Sequence, residues 1–212
     1  MTANIDLYWS FRSPYSYLAL KRIHEIAESR DVVFYPKIAL PLALRDPSFF
    51  DNRGSLWFSY VIRDIFRLAQ MTGQIIAPPN PDPIVQNMIT HEFASEQPYI
   101  WRLSRMGVLA VQEGQGLAFM TEVSQLIWSG QKWDEGTALA EATMRAGLDF
   151  MVMDSRLKER AAQLNKELER NGKALESAGH WGVPTCVLDG EPFFGMDRLD
   201  VLCWRLDQLG IA

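Results

Sequence analysis

The sequence predicts an α/β protein: a small sheet-containing domain whose two halves lie at the chain ends, interrupted by a long helical stretch. Three observations predict it. The N-terminal segment reads strand–helix–strand and the C-terminal segment reads hairpin–helix. Between them, residues 45–178 carry apolar positions mostly at helical period.

The first strand is the apolar run I-D-L-Y-W at 5–9. A helix follows from Ser13 to about Ser29, because Tyr17, Leu20, Ile23, His24 and Ala27 recur on one face. V-V-F-Y at 32–35 is the second strand, with Pro36 just after it. Residues 55–72 are strongly apolar, and Gly73 stands where a helix C′ glycine belongs. A-P-P-N-P-D-P at 77–83 is too proline-rich for a helix and predicts an ordered loop or turn. Helical patterns resume at about 84–93, 97–114, 116–128 and 134–146. The polar segment 154–178 reads as a solvated surface helix with a break near Asn171-Gly172. G-H-W-G-V-P-T at 179–185 is a loop, and C-V-L, D-G, E-P-F-F forms a β-hairpin on a two-residue Asp-Gly turn. An amphipathic helix over 197–209 closes the chain, with Asp197 as its N-cap or in its first turn. Joined, the ends supply four strands and outer helices in the thioredoxin arrangement. The predicted class is therefore α/β, a thioredoxin-like fold with a large inserted all-helical subdomain. Residues 1–44 and 179–212 form the discontinuous thioredoxin-like domain, and 45–178 the insertion.

A chain of 212 residues is long enough for a substantial core. The net charge of −5, with no basic run, argues against a nucleic-acid partner. The N-terminus M-T-A-N-I-D-L-Y-W has no basic region followed by an apolar one, so no signal peptide is expected. No apolar stretch approaches a membrane span. Cys186 and Cys203 each sit in an apolar run and predict two buried thiols rather than a redox pair. His24, His91 and His180 lack metal-ligand spacing, so no metal is expected, and a reducing cytoplasm is the simplest compartment.

Three short motifs have chemical content. Ser13-Pro14 opens a helix, since Ser favours the N-cap and Pro the first helical position, and needs no function to do so. The same helix start also offers unpaired N–H groups and the positive end of the macrodipole to an anion. Ser13 lacks an evident general base, but its hydroxyl can donate to a thiolate belonging to another molecule. A thiol of pKa about 8.5 is only a few per cent ionised at neutral pH, and each unit of depression is worth about 1.4 kcal/mol. Gly182-Val183-Pro184-Thr185 is either a loop proline leading into a strand or a cis-proline loop that turns the Val183 backbone toward an extended peptide. Gly195-Met196-Asp197-Arg198 is either a capped helix start or a zwitterion site, with backbone N–H groups for a carboxylate and Asp197 for an ammonium. Gly114-Gln115-Gly116 follows no strand and lacks the third glycine of a dinucleotide fingerprint, and His91-Glu92 has no second histidine at helical spacing.

F-R-S-P-Y-S-Y-L-A near the start and G-V-P-T-C-V-L-D-G-E-P-F-F-G-M-D-R-L-D near the end resemble the 2-hydroxychromene-2-carboxylate isomerase family. That family groups with kappa-class glutathione transferases and thioredoxin-fold disulfide oxidoreductases. The resemblance also covers residues 60–65, the proline-rich 78–83, the stretch from Trp128-Ser129-Gly130 to Gly147-Leu148-Asp149, and Asn171. It departs at Ser10, where many relatives carry Asp, and is loose over residues 45–54. The resemblance implies a glutathione cofactor, with Ser13 as the catalytic residue that stabilises its thiolate. It implies glutathione-binding roles for Asn52, Val183, Pro184, Met196, Asp197 and Arg198. The implied reaction is isomerisation of 2-hydroxychromene-2-carboxylate to trans-o-hydroxybenzylidenepyruvate, or a related step of aromatic catabolism, in a homodimer. Phe11, Tyr15, Trp57 and Trp181 are the candidates for the aromatic half of the substrate, and Arg12 or Arg198 for its carboxylate.

Three other functions compete. A kappa-like transferase would release the conjugate. A disulfide oxidoreductase is disfavoured because Ser13 and Ser16 stand at both sulfur positions, and thiol–disulfide exchange needs a thiolate. A non-catalytic relative would keep the scaffold without binding glutathione.

Overall fold

A computed structural model describes residues 2–50, 53–87 and 92–211. Its centre is a four-stranded sheet of β1 (Ala3–Trp9), β2 (Val32–Ile38), β3 (Thr185–Leu188) and β4 (Glu191–Phe194), in the order β2-β1-β3-β4. β1 runs parallel to β2, and β3 is antiparallel to both β1 and β4. α1 (Pro14–Ser29) makes the crossover between the parallel strands. β1 is a central strand, and Ile5, Leu7, Tyr8 and Trp9 are all buried, as a strand covered on both faces requires. β2 is an edge strand, and so tolerates Pro36 opposite Leu7 and runs three residues beyond the expected end. In the β3–β4 hairpin, Asp189 (φ 49°) and Gly190 (φ 83°) both adopt the left-handed conformation that a tight hairpin turn needs.

Between β2 and β3 come α2 (Leu42–Arg45), a 3-10 turn (Pro47–Phe50), α3 (Ser55–Thr72), α4 (Pro98–Gln112), α5 (Gly116–Ile127), α6 (Ala138–Arg145), α7 (Phe150–Glu159) and α8 (Ala161–Ser177). After β4, a 3-10 turn (Met196–Arg198) leads into α9 (Leu199–Gln208). α3 ends as expected on Gly73 in the left-handed conformation. α4 and α5 grow onto the sheet rather than standing apart from it. A Cβ on Gly107 would lie 2.8 Å from the Phe11 ring and one on Gly116 3.2 Å from Pro36, so these glycines let the helices approach closely. Phe11 meets Phe119 edge-on at 5.9 Å, and its carbonyl accepts from the Trp128 indole at 3.3 Å.

Several expectations are corrected. Of residues 84–93, those described are not helical: Gln86 bridges Phe93, and the buried Gln97 amide accepts from Val85 N–H and donates to the Val85 and Ala94 carbonyls. The segment 154–178 breaks at Arg160, not at Asn171-Gly172. It is also not simply solvated, because α8 buries Leu164, Leu168, Asn171, Gly172 and Leu175. Asp197 is not a helix N-cap. It sits in the 3-10 turn before α9.

Cys186 and Cys203 are both buried and unpaired. Burial, with Cys203 close by, pushes the Cys186 thiol up to about 12. Cys186 should therefore resist a thiol-specific disulfide reagent in the native protein and react once denaturant unfolds it. Rapid native labelling at Cys186, mapped by mass spectrometry, would contradict this.

Candidate active site at the start of helix α1

Ser13 is the N-cap of α1, and its Oγ accepts from the Ser16 N–H at 3.1 Å. Pro14 follows in the first helical position, and no acidic side chain lies in the first turn to offset the dipole. The Ser13 hydroxyl donates to the Val183 carbonyl at 3.2 Å, so the first and last motifs of the sequence meet at one atom pair. Ser16 is wholly buried, and its hydroxyl has no hydrogen-bond partner among the described residues.

The Val183–Pro184 peptide is cis. The loop around it is held at every turn. Thr185 Oγ1 donates to the Gly182 carbonyl at 2.8 Å, and the Gly195 N–H donates to the Pro184 carbonyl at 2.8 Å. Gly182 N–H donates to His180 Nδ1 at 2.9 Å, which makes the neutral imidazole with its proton on Nε2 the matching tautomer. A Cβ on Gly182 would approach the Phe194 ring to 2.3 Å, so only glycine fits there without moving the ring. Arg45 completes the clamp. Its guanidinium, with the side chain only 10% exposed, donates to the carbonyls of Leu40 (2.9 Å) and Trp181 (2.5 Å) and pairs with Glu176. Among the described residues, the Val183 N–H has no hydrogen-bond partner.

The 3-10 turn lies beside this loop through the Gly195–Pro184 bond. Asp197 and Arg198 are exposed and pair at 3.2 Å, and Met196 is half-buried against the core. Asp197 and Arg198 border a groove of about 460 Å³ along β4 that also includes Glu191, Phe194 and Val201. On the other side, the Tyr15 hydroxyl donates to Asp64 at 3.1 Å. Burial first, then the Asp64 charge, raises its pKa, so Tyr15 stays a neutral donor throughout the physiological range.

Aromatic side chains run continuously from this loop onto the insertion. His180 stacks on Phe194 at 3.9 Å and on Trp181 at 4.9 Å. Trp181 meets Phe49 at 4.5 Å, and Phe49 and Phe50 both flank Trp57. The structure thus joins Trp57 and Trp181, which are far apart in sequence, and adds Phe49, Phe50, His180 and Phe194, which sequence reasoning missed. It does not add Phe11, which is wholly buried in the core and out of reach of a ligand. Arg12 is also engaged elsewhere: it grips Asp82 with two bonds, at 2.5 and 2.6 Å, and lies over Trp128. Asn52 lies outside the described residues.

Burial lowers the His180 pKa from its ordinary value near 6.5, which favours the neutral ring in the folded state. As pH falls below that value, the unfolded chain takes up this proton more readily than the native one, so stability is lost on acidification. The melting temperature should drop between pH 7 and pH 5.5. His180→Phe, which keeps a ring on Phe194 but cannot titrate, should melt lower at pH 7 and show a flatter profile. An unchanged profile in that variant would rule His180 out as the cause.

Residues 4–207 match the family model of the DSBA-like thioredoxin domain. No curated protein matches the chain. Among solved structures, a 2-hydroxychromene-2-carboxylate isomerase is 22% identical over 97% of this chain and 95% of that one, with a TM-score of 0.75. A probable DsbA oxidoreductase from Streptomyces coelicolor is 15% identical over 97% and 89%, with a TM-score of 0.68. The cytosolic disulfide reductase DsbM from Pseudomonas aeruginosa, solved with GSH, is 14% identical over 96% and 99%, with a TM-score of 0.64. At these identities the likeness bears on the fold. No helix among the described residues is long and apolar enough to cross a membrane.

Proposed function

The chain belongs to the DSBA-like thioredoxin domain family, and from that premise we propose that it is a glutathione-dependent isomerase of aromatic-catabolism intermediates, of the 2-hydroxychromene-2-carboxylate to trans-o-hydroxybenzylidenepyruvate type. One observation carries the reading. The Ser13 hydroxyl, at the positive end of α1, is bonded to the carbonyl of the residue preceding the cis-proline. A thiol–disulfide exchanger needs a thiolate, and this chain keeps both of its cysteine thiols buried and offers a hydroxyl at the helix start instead. Such a site suits a thiolate that arrives with a ligand. The GSH complex of the DsbM structure supports a glutathione in a fold of this kind.

The residues present fit the tripeptide. Val183 offers an N–H without a partner among the described residues and a carbonyl that can exchange its present donor. Both can pair with the backbone of the cysteinyl unit, as an added strand would. The exposed Asp197 carboxylate suits the γ-glutamyl ammonium, with Met196 and Arg198 beside it and Pro184 setting the loop. When bound, glutathione supplies a thiolate that adds reversibly to an electrophilic carbon conjugated to a carbonyl, so that the neighbouring bond can rotate before the thiolate leaves. Ser13 turns its hydroxyl from the Val183 carbonyl to the sulfur and, with the helix dipole, holds it ionised. Tyr15 stays protonated beside the reaction, and Trp57 and Trp181 give the aromatic half a stacking surface. The protein works in a reducing cytoplasm, in line with its two unpaired buried cysteines. It works as a homodimer, with the exposed Leu56, Phe58, Tyr60, Ile62 and Phe66 of α3 supplying apolar surface for the interface.

The test is to follow isomerisation of 2-hydroxychromene-2-carboxylate by absorbance with sub-stoichiometric glutathione, alongside calorimetric titration of glutathione. Turnover without glutathione consumption supports the reading. Accumulation of a conjugate with chlorodinitrobenzene and no isomerisation would replace it with a transferase, and no glutathione binding would overturn both.

A further inference from the structure

We propose that Arg53 is the carboxylate-binding residue for the second ligand, an aromatic carboxylate lying along the aromatic row of Trp57 and Trp181. The proposal deepens the isomerase reading and rests on it for the identity of that ligand. The sequence offers Arg12 and Arg198 for this role, but each already faces a carboxylate in the structure. Arg12 is held by Asp82 with two bonds, and Arg198 pairs with Asp197.

Arg53 differs from the other arginines that lie over rings. Arg102 and Arg205 have carboxylate partners, and Arg105 donates to the Asn165 amide. Arg53 is exposed and, among the described residues, has neither a carboxylate nor an amide side-chain partner. Its one bond is a long 3.4 Å contact from Nε to the Phe49 carbonyl. Its guanidinium carbon lies 4.3 Å from the Phe49 ring centroid and 5.6 Å from that of Trp57. Stacking of this kind holds the planar fork beside an aromatic surface while leaving its N–H donors to a ligand.

The position suits the chemistry. Phe49 joins Arg53 to Trp181, and Trp181 is two residues from Val183, the partner of Ser13. Arg45 fixes the Trp181 carbonyl, so this edge of the site is rigid. A planar ligand lying along Trp57 and Trp181 thus has the Val183 loop, which Ser13 meets, toward one end, and toward the other a cation without a carboxylate partner among the described residues. The recognised class is an aryl ring conjugated to a carboxylate. An uncharged aryl amide or ester of the same shape would stack equally well and lose the guanidinium contact.

Calorimetric titration of 2-naphthoate and of uncharged 2-naphthamide into the full chain tests this, using wild type, Arg53→Gln and Arg53→Lys. The wild type should bind the carboxylate about tenfold more tightly than the amide. Arg53→Gln should bind both at the amide level with an unchanged melting temperature, and Arg53→Lys should keep a few-fold preference. Equal affinities in the wild type, no binding of naphthoate up to millimolar concentration, or a preference that survives Arg53→Gln would overturn the proposal. Glutathione titrated into the same proteins reads the other half of the site separately. If it fails to bind while the carboxylate preference holds, the isomerase reading falls and the aromatic-acid site stands.

Discussion

Ser13→Ala is expected to lower kcat/KM for the glutathione-dependent reaction by about 10²-fold, comparable to losing one preorganised donor to a developing anion. The lost group is the hydroxyl that bonds the Val183 carbonyl at the α1 start. The pKa of bound glutathione, read from the thiolate absorbance, should rise by about one to two units, since the helix dipole remains but the O–H donor does not. Ser13 is also a helix N-cap, so the variant should lose about 1 kcal/mol of stability. Ser13→Gly separates the two roles, because glycine caps a helix nearly as well as serine does. Both variants should lose activity alike while differing in stability. Activity that follows stability instead would mean that Ser13 only caps the helix.

Arg45→Met should destabilise the protein by about 2–4 kcal/mol, because the half-buried Leu40 carbonyl and the Trp181 carbonyl lose their donor and Glu176 loses its pair. For a chain of this size that is a fall of roughly 5–15 °C in melting temperature. Burial already lowers the guanidinium pKa, yet two carbonyls and Glu176 keep the charge satisfied. Arg45→Lys should recover little, since one ammonium cannot reproduce a planar fork that spans two carbonyls. Because Trp181 is two residues from Val183, glutathione binding should weaken in both variants even below their melting temperatures. Normal stability in Arg45→Met, measured by chemical denaturation, would show that water replaces the clamp without penalty.

The ends of the chain were legible because each element there carries its own local signal. Ser13-Pro14 caps, Gly73 stops, Asp189-Gly190 turns, and β1 buries its apolar Ile5, Leu7, Tyr8 and Trp9. The misreadings share a different cause. Asn171-Gly172 looks like a helix stop, but the Asn171 amide donates to the Ile38 carbonyl at 2.8 Å, and Gly172 makes room for the Arg45 stem. Residues 84–87 look helical until the Gln97 side chain takes up their backbone groups. In the site, Ser13 and Val183 were readable as motifs. Arg45 was not, because two of its three partners lie 131 and 136 residues away and no local pattern announces them. Phe11 and Arg12 were readable as an aromatic and a cation, but not as a side chain sealed in the core and a charge already matched.

On the proposed reading, the bond from Ser13 to Val183 also bears on which thiols the site would accept. In the resting protein the hydroxyl and the carbonyl satisfy each other, so a sulfur can recruit the hydroxyl only by stranding the carbonyl. A thiol that brings a backbone N–H of its own refills that vacancy, and a simple alkyl thiol does not. An unpaired, partly buried carbonyl costs about 1–3 kcal/mol, which is roughly a five- to 150-fold handicap. Selection for a peptide-borne sulfur would then be a matter of exchange rather than of shape, set by a hydrogen bond that the ligand must break and replace.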